Sequence, residues 1–173
     1  LADIATCESV RVAGDDFDEA IIHHMKKTYN ITIGEQTSER IKIEIGSAAQ
    51  VGDETTLEVR GRDNLTGLPC KTEVTSQEIR EALQEPIRAI VDAVKRTLER
   101  AEPELAADLV DNGICLVGGG ALLKGLDVVI HQETGLDVTI ADDPLTCVAR
   151  GTSIYLENLE DWKATMESDA DEL

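Results

Sequence analysis

The feature that most constrains this chain is a run of three adjacent glycines, Gly118, Gly119 and Gly120. It sits between an apolar strand-like segment (114–117) and an apolar stretch of helical length (121–134). Residues without a Cβ let a backbone approach a ligand closely. A helix beginning beyond them would aim unpaired N–H groups and the positive end of its dipole at the same point. A second strand is predicted over 136–140, and Asp143-Pro144 opens a further helix, so this region reads as an α/β unit. A nucleotide is the natural occupant of such a turn. The pattern is neither GxxxxGK[ST] nor GxGxxG, because Ala121, Leu122 and Leu123 follow the glycines. A turn that served only close helix–strand packing would carry the same residues.

Charge and composition narrow the classes of partner. The chain of 173 residues carries 35 acidic residues against 16 Lys and Arg, a net charge of −19. Phosphate neutralisation needs clustered cations, and base stacking needs aromatic platforms, yet aromatics are 2% of the chain, so nucleic acid is not expected as a partner. Apolar residues, at 42%, are sufficient for an aliphatic core. Halophilic adaptation would produce the same acidity. Cys7, Cys70, Cys115 and Cys147 form no CxxC pair and are predicted to be buried, reduced side chains in a cytoplasmic protein rather than zinc ligands. There is no signal peptide and no apolar run of ~18 residues, so no direct membrane element is expected. Because Leu1 rather than Met opens the chain and leads straight into strand-like sequence, a fragment or partial reading frame is expected.

From the N-terminus, one or two short strands are predicted up to Gly14, then a helix capped by Asp15 or Asp16 with Phe17, Ala20, Ile21, His24 and Thr28 at helical spacing. A second helix over 35–45 buries Ile41 and Ile45 and stops at Gly46. Alternation at Thr55, Leu57 and Val59, a Gly/Asn/Pro loop over 61–69 and a return through Thr72 and Val74 predict a hairpin. Thr75 and Glu78 have capping-box spacing ahead of a long amphipathic helix from Ile79 to Leu98, which Pro86 either kinks or divides. A short helix after Pro103 ends at Gly113. Residues 157–173 read as the end of a helix and an acidic tail.

Few other residues invite a chemical role. Glu39 and Lys42, three apart on the second helix, share a face and could offer one acceptor and one cation to a ribose or purine edge, though such pairs are commonly surface ion pairs. His23, His24 and His131 form no catalytic arrangement. Asp15-Asp16 and Asp142-Asp143 are better explained as helix caps than as metal ligands. No catalytic residue and no metal ligand is assigned.

Several blocks together resemble the bacterial actin-like cell-shape family MreB. They are residues 14–21 (GDDFDEAI), 33–35 (IGE) with 38–46 (SERIKIEIG), 81–86 (EALQEP), 103–106 (PELA), 117–123 (VGGGALL) and 143–151 (DPLTCVARG). The match runs in order over about residues 1–155. The resemblance implies an α/β, actin-like ATPase fold of which this is the second half. Residues 1–13 and 77–156 would form an inner α/β subdomain, and 14–76 a smaller inserted α+β outer subdomain. It implies ATP or ADP as ligand, with Gly118, Gly119, Gly120, Ala121 and Leu122 against the adenosine. Glu39, Arg40, Ile41 and Lys42 would lie against adenine and ribose, and Gly14 at the end of a phosphate-loop strand.

In the same resemblance the phosphate-binding hairpins, the Mg²⁺-binding acid and the glutamate that orients water precede Leu1. The chain alone is therefore not expected to hydrolyse ATP, and Mg²⁺ is expected only with that other half. Self-assembly into protofilaments is implied, as are wall-elongation partners at the inner membrane face and a cytoplasmic, membrane-associated location. Two alternatives remain at this point. One is another ATPase or small-molecule kinase of the actin, Hsp70 and sugar-kinase superfamily. The other is a dinucleotide-binding module with Gly118–Gly120 on a pyrophosphate and Asp142 on a ribose, for which the glycine spacing is wrong.

Overall fold

A computed structural model describes residues 4–159. Helix α1 (Gly14–Tyr29) follows a leading segment, 4–13, that contains no strand. This corrects the predicted N-terminal strands: a strand exists only with a ladder partner, and this segment is tied down instead by Glu8, 2.6 Å from Arg96 and 3.5 Å from Arg100. Neither Asp15 nor Asp16 is the N-cap of α1. Ala13 holds that position, and its N–H donates to Asp16 Oδ2 at 2.7 Å, while both aspartates sit in the first turn, where the helix dipole favours carboxylates. Phe17, Ile21 and Met25 form its buried stripe.

Beyond α1 come β1 (Ile31–Thr32), α2 (Glu35–Ile45), β2 (Thr56–Asp63) and β3 (Pro69–Thr75). The strands form an antiparallel sheet in the order β1-β2-β3, with Leu57 opposite Val74 and Val59 opposite Thr72. Val59 and Val74 are buried beneath α1 and α2 in one aliphatic core. The short β1, which pairs Ile31 with Asp63, carries too few residues for a periodicity signal.

The long helix predicted from Ile79 is two helices, α3 (Ser76–Ala82) and α4 (Gln84–Glu99), that meet at Leu83. The capping box is present: Glu78 N–H donates to Thr75 Oγ1 at 3.2 Å, and Thr75 N–H donates to Glu78 Oε2 at 2.9 Å. Pro86 stands in the first turn of α4, where its missing N–H would have had no helical partner.

After α5 (Pro103–Asn112), strands β4 (Ile114–Leu116) and β5 (Val138–Ile140) pair in parallel, joined through a 3₁₀ turn (Gly119–Leu122) and α6 (Leu126–Thr134). The single helix expected over 121–134 is thus a tight turn and a later helix. Gly125 separates them at φ +77°, a conformation that glycine adopts without strain, and the Lys124 carbonyl accepts Ala48 N–H at 2.7 Å. α7 (Cys147–Glu157) starts three residues beyond Pro144. The aliphatic core joins α1, α2, the sheet, α3, α4 and α6, and so runs across the boundary expected at 76/77.

The cysteines are not buried as expected: Cys7 and Cys115 are exposed, and Cys70 and Cys147 half-buried, all four as free thiols. No helix among the described residues is long and apolar enough to cross a membrane. Most of the acidic tail lies outside the described residues.

Candidate functional site

A cavity of about 950 Å³ opens where three distant segments meet. The N-terminal half of α1 provides Gly14, Asp15, Asp18 and Glu19. One face of α2 provides Glu35, Glu39, Lys42 and Ile43, and the glycine turn provides Gly119, Gly120 and Leu122. The packing of α1 against α2 sets the first two walls. The third is held by the fold around the turn: Gly118 N–H donates to the Pro144 carbonyl at 2.7 Å, and Lys124 Nζ donates to the Glu44 carbonyl at 2.8 Å.

Of the residues singled out in the sequence, Gly14, Glu39, Lys42, Gly119, Gly120 and Leu122 line this cavity. Ala121 is buried beneath the turn, and Gly118, at φ +82°, shapes the backbone that enters it. Ile41 points the other way, into the core, with no exposed surface. Arg40 also turns aside: its guanidinium donates to the Glu58 carbonyl at 3.1 Å and pairs with Glu44 at 3.6 Å. The helical period explains this division, since positions 39, 42 and 43 share a face that 40 and 41 do not.

Asp18 was not singled out in the sequence as a site residue. Its Oδ2 lies 2.7 Å from Lys42 Nζ, and the same ammonium donates to the Gly14 carbonyl at 3.1 Å. Asp18 lies one helical turn after Gly14, inside the 14–21 block that carries the resemblance, but no spacing links it to Lys42, 24 residues further along the chain.

Two observations bear on what fits here. At Gly120 an added Cβ would meet nothing among the described residues within 4 Å, although the backbone there is ordinary, so neither their packing nor conformation calls for a glycine. A backbone left bare towards a cavity suits close approach by a planar ligand. The wall is also strongly negative: among the described residues Asp15, Asp18, Glu19, Glu35 and Glu39 line it, against one cation, Lys42, whose charge Asp18 offsets. Uncharged donors and acceptors, as on a nucleoside, suit such a wall better than phosphates do.

This arrangement of elements defines part of an actin-like α/β fold. MreB5 of Spiroplasma citri bound to ADP superposes with a TM-score of 0.87 at 39% identity, covering 91% of this chain and 48% of that one. Its complex with AMPPNP superposes with a TM-score of 0.86 at 38% identity, covering 96% and 49%. The sequence pattern of the MreB/Mbl protein family matches residues 1–164, and the chain belongs to that family. It is 48% identical to the cell shape-determining protein Mbl of Bacillus cereus over 92% of this chain and 48% of that one. It is 50% identical to the cell shape-determining protein MreB of Pasteurella multocida over 92% and 46%. The chain therefore spans about half the length of the curated relatives it matches.

Proposed function

We propose that this chain supplies the adenosine-facing half of an ATP- or ADP-binding, filament-forming cytoskeletal protein that maintains bacterial cell shape by organising wall synthesis. The observation that carries this reading is the convergence of Gly14, Glu39, Lys42, Gly119 and Gly120 on one cavity, although up to 106 positions separate them in sequence. The nucleotide-bound MreB5 structures support the same assignment. In this reading the cavity takes adenine and ribose, with Gly119 and Gly120 against the adenosine and Glu39 and Lys42 at the ribose. Residues 77–156 with 1–13 act as the inner subdomain and 14–76 as the outer one. Polypeptide beyond this sequence supplies the γ-phosphate and Mg²⁺ contacts, so that this chain alone does not hydrolyse ATP. Copies of the intact protein assemble into protofilaments on the cytoplasmic side of the membrane, where they meet the wall-elongation machinery. Closure of the two halves on nucleotide lets ATP bias that assembly through differential affinity.

The test is calorimetric titration of adenosine and of ATP into the chain and into Gly119→Asp. A Cβ at Gly119 would make one ordinary contact, 3.5 Å from Leu145 Cδ2, so the substitution adds bulk and charge to the cavity without disturbing the turn. The expected result is saturable binding near the millimolar level, about 4 kcal/mol. Adenosine should bind at least as well as ATP at low salt, and Gly119→Asp should abolish both. Tight ATP binding that survives Gly119→Asp would overturn the assignment.

A further inference from the structure

Building on the nucleoside reading above, we propose that Asp18 is the positioning residue of this cavity: with the Gly14 carbonyl it clamps the Lys42 ammonium so that one N–H is left for an acceptor atom of the nucleoside. An ammonium offers three donors and accepts nothing. Lys42 Nζ commits one to Asp18 Oδ2 at 2.7 Å and one to the Gly14 carbonyl at 3.1 Å, which leaves the third. Lysine ends a flexible four-carbon stem, and a free one would have to be ordered at each binding event. Here the ordering is already accomplished, because both side chains are largely withdrawn from solvent, at 17% exposure for Lys42 and 15% for Asp18.

Asp18 is itself gripped by the helix that carries Lys42. Ser38, one turn before Lys42 on α2 and fully buried, donates its hydroxyl to the Asp18 carbonyl at 2.8 Å. Residues four apart on one face of α2 therefore hold Asp18 by its backbone and by its side chain, which fixes where the carboxylate stands. The second carboxylate oxygen, Oδ1, is buried with no hydrogen-bond partner among the described residues, where Lys42 is the group that balances this charge. The two residues act as a unit, and neither keeps its position without the other. The acceptor that the third N–H meets is a ribose hydroxyl oxygen or a purine ring nitrogen.

Two measurements on the 173-residue chain test this. The first is the ¹⁵N spectrum of the lysine ammonium groups. Lys42 should give a slowly exchanging signal that is lost in Asp18→Asn and regained in part in Asp18→Glu, with far-UV circular dichroism unchanged. A persistent signal in Asp18→Asn would overturn the clamp. The second is an NMR titration with adenosine. Asp18→Asn and Lys42→Ala should each weaken binding about three- to tenfold, and the double variant should be no weaker than Lys42→Ala alone. Factors that multiply in the double variant, or wild-type affinity in Asp18→Asn, would overturn the inference. Loss of affinity for 2′- or 3′-deoxyadenosine that disappears in Lys42→Ala identifies the ribose as acceptor; the same pattern with a deaza-adenosine identifies the ring. Absence of saturable shifts in the wild-type chain defeats the nucleoside reading and removes the ligand from this inference, whereas the ammonium spectrum decides the clamp in either case.

Discussion

Between Gly14 and Leu83 the apolar stripes of the helices close on other elements of the same chain: Ile21 and Met25 of α1, Ile41 of α2, Val59 and Val74 of the sheet, and Ile79 of α3 are all buried. Between Pro103 and Glu157 the helices are just as well formed, but α5 and α7 contribute no buried residue, and Val110, Val148, Ile154 and Leu156 stand in solvent. Helix formation answers to local signals, such as Pro103 in the first turn of α5. Burial answers to what lies opposite. The part of the chain that builds two walls of the cavity is therefore a finished piece of core, whereas the glycine turn of the third wall is anchored through Leu123, Leu126 and Ile130 rather than through α5 or α7.

The strongest challenge to that contrast is a cavity in the finished region. Ile21→Ala removes a side chain with no exposed surface from the centre of α1. It should cost about 2–5 kcal/mol in urea denaturation. A loss below about 1 kcal/mol would mean that this core is as loose as the C-terminal region and that the two differ only in exposure.

A smaller effect sharpens the same comparison through pH. Burial pushes the Glu78 carboxyl up, but hydrogen bonds from the Tyr29 hydroxyl and from Thr75 outweigh it, and the net result lies below the ordinary 4.5. Burial, with Glu78 as its hydrogen-bond acceptor, pushes the Tyr29 hydroxyl up to about 12. A carboxyl whose pKa is lowered by folding binds more protons when unfolded. Its contribution is therefore complete above the unfolded value and disappears as pH falls through the native one. Glu78→Gln should lower stability at neutral pH, and the difference from wild type should shrink steadily below about pH 4.5. Equal pH profiles in the two proteins would show that the link from α1 to the cap of α3 does not contribute to stability.

The same division governs how much could be read from the amino acids. The Thr75 and Glu78 capping box and α2 rest on neighbours in sequence, and both were legible. The hairpin and the strand–turn–helix–strand order around the glycines were legible in outline only, since β2 runs on to Asp63 and β3 begins at Pro69 inside the loop expected over 61–69, and the expected single helix is a turn and α6. The leading strands were not legible, because strand-like residues such as Val10 and Val12 take up a ladder only against a partner. The break at Gly125 was hidden too, since its cause is the approach of Ala49 and the Ala48–Lys124 hydrogen bond from a remote loop. At the site, the helical period put Glu39 and Lys42 on one face, but the Asp18 that holds Lys42 belongs to another helix. Resemblance named Arg40 and Ile41 together with them as one run of four residues; the three-dimensional helix divides that run between cavity, core and the neighbouring strand β2.

The smallest expected effect is the most discriminating. Ile154 lies on α7 with 58% of its surface exposed, so Ile154→Ala removes methyl groups that are largely hydrated already. Its cost should stay within about 0.5 kcal/mol, against several for Ile21→Ala, although the deletion is the same in chemistry. Amide hydrogen exchange adds the dynamic side: α7 should exchange through local opening at far lower free energy than α1, because few apolar contacts hold it. If Ile154→Ala instead destabilises the chain as much as Ile21→Ala, α7 is packed in solution against a surface of its own. The contrast between a closed and an open region would then fail. If the small value holds, the exposed stripe of α7 is apolar area that folding of this chain leaves uncovered, and its burial remains available as free energy for whatever surface closes over it.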